Sequence, residues 1–162
     1  MHFDLIAQCL FLLAIANGAP ILISRILGDT FSRAIDRGIT LPDGHQLFGH
    51  SKTWRGIIAA LVATAMMALI IGISWVIGLM LAALSLVGDL ASSFVKRRLG
   101  LAPSSRFSGL DQIPEALIPA LAGIWLLGLN VYDVTVVVIL FFVGAILLSR
   151  LLFKLNIRQH PY

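Results

Sequence analysis

The stretch Gly88–Gln112, GDLASSFVKRRLGLAPSSRFSGLDQ, decides the fold because it joins a long apolar helix to a basic cluster. Asp89 lies near the end of the apolar run, Lys96 begins the basic cluster, and a second acid, Asp111, follows it. Ionisable groups beside a membrane-length apolar run are costly to bury, so their presence predicts a ligand or metal site. We expect this stretch to form half of a site, with the other half between Asp43 and Gly56.

The composition predicts an integral membrane protein. The 162 residues are 59% hydrophobic and 12% charged, whereas soluble domains carry about 25% charged residues. This length suits a single membrane domain, 1–162. The only cysteine, Cys9, lies in an apolar run and predicts neither a disulfide nor a redox role. A net charge of +4 is too small to indicate nucleic-acid binding.

The apolar runs predict five transmembrane helices. The first run is long enough for one span of about 30 Å. The thirty-two uncharged residues 57–88 are too long for one crossing and are expected to turn near Gly72–Ser74. The last apolar region is expected to turn near Gly128–Asn130. The predicted spans are about 5–24, 57–72, 75–95, 115–131 and 134–152.

The basic residues predict how the bundle lies in the membrane. With five spans, all twelve lysines and arginines fall on one side, in the loops 25–56 and 96–114 and around the end of the fifth span. The positive-inside rule makes this side cytoplasmic and places the N-terminus outside. The sequence therefore predicts a multi-pass protein of the cell membrane with its site on the cytoplasmic face.

The first loop has the ingredients of a phosphate site. A Walker loop needs adjacent Gly-Lys after a strand, and here two residues separate Gly49 from Lys52, so that interpretation is rejected. Glycines for close backbone approach, the charges of Lys52 and Arg55, and a helix start after Gly56 still suit an anion. A basic membrane anchor, with Trp54 at the interface, explains the same residues equally well.

Helical spacing groups the polar residues of the second loop. Asp89, Ser92, Ser93 and Lys96 share one helix face. Asp89 and Lys96 are about 10 Å apart along the axis, which suits the two sides of a triphosphate better than a direct pair. The alternative for Asp89 is a structural ion pair with a neighbouring arginine. Asp111 and Glu115 can also be explained as helix-start residues.

Taken together, these motifs resemble the CDP-archaeol synthase family, within the wider CTP:phosphatidate cytidylyltransferase group. The resemblance covers essentially the whole chain, and it is the combination of motifs that makes it specific. It rests on LFGHSKTWRG (residues 47–56) after Asp43-Gly44, on the Gly88–Gly100 segment, and on Leu110-Asp111-Gln112.

The resemblance implies a five-span enzyme that transfers a cytidylyl group from CTP to a membrane lipid phosphate of the archaeol type, with Mg²⁺ and release of pyrophosphate. An anionic phosphate nucleophile needs positioning and charge neutralisation rather than a strong base. The implied catalytic residues are Asp89, Lys96 and Asp111. The implied metal ligands are Asp89 and Asp111, with Glu115 as a further candidate. The implied substrate-binding residues are Asp43, Lys52, Thr53, Arg55, Gly56, Ser92, Ser93, Arg97 and Arg98.

One position departs from the family pattern. Members commonly carry a second acid three residues after the aspartate of Asp-Gln, where this chain has Pro114. Glu115 would point about 100° away on a helix. A two-metal site, the identity of the lipid and the oligomeric state, a homodimer included, are therefore left open. Three alternatives also stay open: the same chemistry on phosphatidate, a small transporter or channel subunit, and an inactive relative acting in assembly.

Overall fold

The computed structural model describes residues 1–101 and 112–154, with side chains through residue 148. Within these residues the chain forms five α-helices, which confirms the expected all-α architecture. Their bounds are α1 Phe3–Leu27, α2 Trp54–Ile70, α3 Trp75–Arg98, α4 Gln112–Leu126 and α5 Val131–Lys154. In this part of the chain α1, α3 and residues Val131–Leu148 of α5 are long and apolar enough to cross a membrane. The apolar helices α2 and α4 are shorter, at 17 and 15 residues.

Capping interactions, rather than hydropathy, set where the helices begin and end. α2 begins three residues before the predicted span because the Thr53 hydroxyl accepts a hydrogen bond from the Gly56 amide at 3.3 Å, an N-cap. α3 ends in a Schellman motif at Gly100, which has a φ of 69°. There the Leu101 amide donates to the Lys96 carbonyl and the Gly100 amide to that of Arg97. The basic cluster is consequently helical.

Long-range contacts define the two ends of the bundle. Side chains at or just before the start of α2 bond to residues that follow α1 and to the last turns of α3. The first turn of α4 packs against the same part of α3. We call this the loop end. At the opposite end, His2 bonds to Asp133 through its backbone amide and its Nδ1, at 3.2 and 2.9 Å, which joins the starts of α1 and α5.

Small residues set the spacing of α3 against its neighbours. A Cβ added to Gly78 would lie 2.6 Å from the Ala68 Cβ of α2. A Cβ added to Gly88 would lie 2.3 Å from the Pro114 carbonyl oxygen of α4. Such close backbone approach is typical of helix contacts in membranes, where packing replaces the hydrophobic driving force. α3 is therefore the element around which the site is built.

The buried core is small and the exposed surface is apolar. One buried cluster joins α1, α4 and α5 around Leu13, Ala120 and Val137, and another joins α1, α2 and α3 around Leu12, Ala68 and Leu81. Large apolar side chains such as Ile70 and Trp125 are exposed. A groove of about 750 Å³ between α1 and α2 also has mostly apolar walls. Apolar surface of this extent fits a protein surrounded by lipid.

Candidate active site

The loop end is organised by an ion pair between Lys52 and Asp89. The Lys52 Nζ lies 2.5 Å from Oδ1 and 2.6 Å from Oδ2 of Asp89, and each side chain is 22% exposed. Lys52 precedes α2 by two residues, and Asp89 lies in the last three turns of α3. The first loop and the part of α3 that carries Asp89, which the sequence assigned to one site, thus meet directly. Within the described residues, the ion pair of Asp89 is formed with Lys52 of the first loop.

Backbone hydrogen bonds on both sides hold Lys52 in place. Its amide donates to the Gly49 carbonyl at 3.2 Å, and its carbonyl accepts from the Ile35 amide at 2.9 Å. The next pairing continues this ladder, because the Trp54 amide donates to the Arg33 carbonyl at 3.1 Å. The position of the ammonium group is therefore set by the folded loop as well as by Asp89.

The last turns of α3 present the polar face that the spacing predicted. Ser92, Ser93, Lys96 and Arg97 are all buried, with Lys96 only 7% and Arg97 only 4% exposed. The Ser92 hydroxyl donates to the Asp89 backbone carbonyl at 2.9 Å, so Ser92 supports the helix rather than the carboxylate. The buried ammonium of Lys96 on this face and the buried guanidinium of the adjacent Arg97 place two cations in the last turn of α3, an arrangement suited to a polyanion.

Arg98 ties the tip of the first loop to the end of α3. Its guanidinium donates to the Asp43 carboxylate and, at 2.7 Å, to the Gln46 carbonyl. It also lies over the Phe94 ring, 5.2 Å from the ring centre. The His45 amide, followed by the charge of Arg98, holds the pKa of Asp43 below its ordinary value despite some burial. Arg98 and Asp43, expected to bind substrate, thus have a structural role here.

Arg55, Thr53 and Gly56 also have local structural contacts. An Arg55 guanidinium nitrogen donates to the carbonyls of Gly28, at 2.7 Å, and Thr30, which fixes the start of α2 against the end of α1. A Cβ on Gly56 would lie 3.4 Å from that of Pro20. These contacts shape the loop end whether or not the same residues also touch a ligand.

Nothing in the sequence singled out Asp36, yet it is the most connected carboxylate of the first loop. It is 4% exposed and accepts from the amides of Gly38, Phe48 and Gly49 at 3.0, 2.9 and 2.9 Å. Burial opposes its ionisation, but these amides outweigh burial and hold the pKa of Asp36 below its ordinary value. The Asp-x-Gly spacing of residues 36–38 is an Asx-turn signal that could have indicated the first of these bonds.

Asp89, Asp111 and Glu115 are the acids expected to be available to a metal ion. Asp111 lies outside the described residues. Glu115 is half-buried in the first turn of α4, and the packing of that turn on Gly88 brings its backbone beside Asp89. Among the described residues no group of three or more candidate ligands forms. Mg²⁺ needs only one or two carboxylates when phosphate oxygens and waters complete its shell, so Asp89 with an acid from the start of α4 suits it.

The fold and this loop end define a class, namely a helical membrane protein with a basic, carboxylate-containing site at one end of its bundle. Comparison with known proteins agrees with this class and narrows it. The family model CarS-like, described as CDP-archaeol synthase, matches residues 2–162. This chain belongs to the CDP-archaeol synthase family.

Curated relatives and a solved structure are similar over most of the chain. A CDP-archaeol synthase of Sulfurisphaera tokodaii is 34% identical over 74% of this chain and 76% of its own length. One from Pyrococcus furiosus is 37% identical over 60% of each chain. A solved structure described as an intramembrane enzyme for archaeal membrane lipids biosynthesis has a TM-score of 0.71 at 26% identity. The match covers 85% of this chain and 90% of the chain in that structure.

Proposed function

We propose that this protein is an enzyme that transfers the cytidylyl group of CTP to an archaeal lipid phosphate, giving a CDP-lipid and pyrophosphate. Family membership and the names of its relatives support the reaction. The observation that carries the assignment to this site is the Lys52–Asp89 pair, which joins the basic first loop to the last turns of α3, where the second basic cluster lies. Phosphatidate, as acceptor of the same chemistry, is the competing substrate.

The chemistry requires charge neutralisation more than proton transfer. An oxygen of the lipid phosphate, already anionic near neutral pH, forms a bond to the α-phosphorus of CTP. The bond from that phosphorus to the β-phosphate oxygen breaks, and its electron pair leaves with pyrophosphate. Lys52, Lys96 and Arg97 are suited to hold the phosphates in line and to offset the charge of the leaving group.

We propose that Asp89 holds Mg²⁺ together with Asp111, with Glu115 as a further candidate ligand. When bound, Mg²⁺ would supply positive charge that stabilises the transferring phosphoryl group. Supporting this, the Gly88 contact places the first turn of α4 next to Asp89. Family members commonly carry a second acid where this chain has Pro114. The number of metal ions that bind therefore depends on which of the carboxylates near the start of α4 reach the site.

We also propose that all five helices cross the membrane, with the loop end in the cytoplasm. The lysines and arginines of the first loop and of the end of α3 support this orientation through the positive-inside rule. Soluble CTP and a membrane-anchored phosphate would then meet at one interface. A permeation path, as in a transporter, would need polar groups along the helices. Asn17, which lies within α1, instead donates to the Leu13 carbonyl and the Ser85 hydroxyl inside the bundle.

The assignment is tested with the full chain in lipid nanodiscs, given labelled CTP, Mg²⁺ and a panel of lipid phosphates. An isoprenoid ether-linked glycerol phosphate is expected to give labelled CDP-lipid, and phosphatidate is expected to give less. Asp89→Asn and Lys96→Ala should lower the rate by at least about 100-fold, the usual scale for loss of a charge-stabilising group.

Asp4→Asn, at the opposite end of the bundle, is the matched control and should retain full activity. Absence of product with every acceptor would overturn the proposed reaction. Full activity in both Asp89→Asn and Lys96→Ala would instead place the reaction at another site.

A further inference from the structure

The loop between α1 and α2 contains a buried carboxylate for which the proposed chemistry has no use. Asp36 is 4% exposed and accepts three hydrogen bonds from the backbone: Oδ1 from the Gly38 amide, and Oδ2 from the amides of Phe48 and Gly49. Bonds from several amides to a carboxylate are stronger than neutral ones and fix the backbone that supplies them. Asp36 therefore acts on the shape of the chain.

These bonds join two segments that are 12 and 13 residues apart in sequence. One is the turn that contains Asp36 itself, and the other is the Phe48–Gly49 turn, where Gly49 has a φ of 94°. A left-handed residue of this kind cannot be replaced without strain, and its amide direction is set by the bond to Asp36. The Asp36 carboxylate therefore connects the first part of the loop to its last part through hydrogen bonds.

Lys52 is held by the same two segments. The Gly49 carbonyl accepts from its amide, and the Ile35 amide, adjacent to Asp36, donates to its carbonyl. From this position the side chain reaches Asp89 at 2.5 and 2.6 Å. Both backbone hydrogen bonds of Lys52 are thus linked to Asp36. Ile35 is the residue before Asp36, and the Gly49 amide binds the Asp36 carboxylate.

We propose that Asp36 is a positioning residue that acts through Lys52. It holds the Phe48–Gly49 turn against the start of the loop so that the Lys52 ammonium is presented to Asp89 and to the phosphates of the nucleotide. This inference rests on the proposed function for the nucleotide, whereas the loop geometry it uses is independent of catalysis.

A double-mutant cycle on CTP affinity tests this role, using the full chain in nanodiscs and calorimetry with CTP and Mg²⁺. Asp36→Ala should weaken CTP binding about tenfold in the otherwise unchanged protein, and less than about twofold when Lys52 is already alanine. Equal losses in both backgrounds would show that Asp36 does not act through Lys52, and they would overturn the proposal. Asp29→Asn, an exposed acid of the same loop, is the matched control and should bind CTP normally.

Hydrogen exchange gives a readout that does not depend on the nucleotide. Asp36→Asn keeps the side-chain shape but can accept through only one oxygen. It should therefore speed amide exchange in peptides covering residues 47–53 and leave the peptides of α1 and α5 unchanged. If the wild-type protein binds no CTP, the proposed function fails while this measurement still decides the role of Asp36. Unchanged exchange at residues 47–53 would overturn the proposal.

Discussion

Gly88 is the residue at which helix packing and the candidate site depend on each other. A Cβ at this position would lie 2.3 Å from the Pro114 carbonyl oxygen and 2.8 Å from the Glu115 amide nitrogen. Both are backbone atoms, so no side-chain rotation can make room. Because Asp89 is the next residue, any shift of α4 away from Gly88 also changes which acids surround the Asp89 carboxylate.

We therefore expect Gly88→Ala to destabilise the bundle and to impair activity. Overpacking of this kind costs about 1–3 kcal/mol, and a backbone clash belongs at the upper end of that range. Thermal unfolding in nanodiscs is the measurement. Gly144→Ala in α5, where a Cβ would meet nothing within 4 Å, is the matched control. Equal melting temperatures for the two variants would contradict this account of the α3–α4 contact.

At this scale the sequence predicted which polar side chains share a helix face better than which side chains meet. The helical spacing from Asp89 to Lys96 and the basic character of the first loop were readable from the sequence. The pairing of Lys52 with Asp89 was not, because it depends on how two loops 37 residues apart fold toward each other. The role of Asp36 was also hidden, because its main partners are amides of a turn whose geometry no periodicity describes.

The loop of residues 28–53 is an element without a hydrophobic core of its own. It is held by two isolated β-bridges, Ala34 with Thr53 and Thr40 with Gln46, and by side-chain bonds from Asp36 and Arg98. Phe31 and Arg37 have positive φ values of 57° and 49°, which only a well-determined loop maintains. Hydrogen bonds between the backbone and the side chains of Asp36 and Arg98 hold the loop in this conformation.

The loop should consequently lose its structure in acid before the helices do. The folded pKa values of Asp36 and Asp43 are both depressed, so their stabilising contribution is fully present above the unfolded value, about 3.9. It is lost as the pH falls through the lower folded values. Fluorescence of Trp54, with the other tryptophans replaced by phenylalanine, should change below about pH 3.9 while helical circular dichroism persists.

Asp36→Asn provides the comparison for the acid transition. It removes the principal titrating group, so its loop should be looser near neutral pH and should show a smaller change in acid. A wild-type loop transition above pH 5 would contradict the depressed pKa values.

Helix existence was predictable from apolar runs, whereas helix ends depended on caps. The predicted fourth span reached residue 131, but α4 ends at Leu126 and α5 begins at Val131. There Asn130 and Asp133 form a reciprocal cap, each side chain accepting from the amide of the other, at 2.9 and 3.1 Å. Hydropathy cannot detect such a cap, because it counts apolar residues and does not record which amides need partners.

The two ends of the bundle differ in charge within the described residues. The loop end carries paired and clustered cations, while the described residues of the opposite end join His2 to the cap of α5. Through the positive-inside rule this asymmetry supports the proposed orientation, with the loop end in the cytoplasm.

Cysteine labelling tests this orientation. Tyr132→Cys, at an 81% exposed position of the opposite end, should react with a membrane-impermeant maleimide in intact cells. Asp29→Cys, in the loop, should react only after the membrane is opened. Cys9 is buried and should not contribute to the labelling. Labelling of Asp29→Cys in intact cells would reverse the proposed topology.

The long-range bonds of the first loop have a consequence for the order of events during biosynthesis. The partner of Lys52, Asp89, is made 37 residues later, and the partner of Asp43, Arg98, is made 55 residues later. At about 5–20 residues per second, 55 residues take the ribosome roughly 3–11 s. Until Asp89 is made the nascent loop lacks both partners from α3, and until Arg98 is made it lacks the second. The emergence of the last turns of α3 is therefore the step that completes the loop.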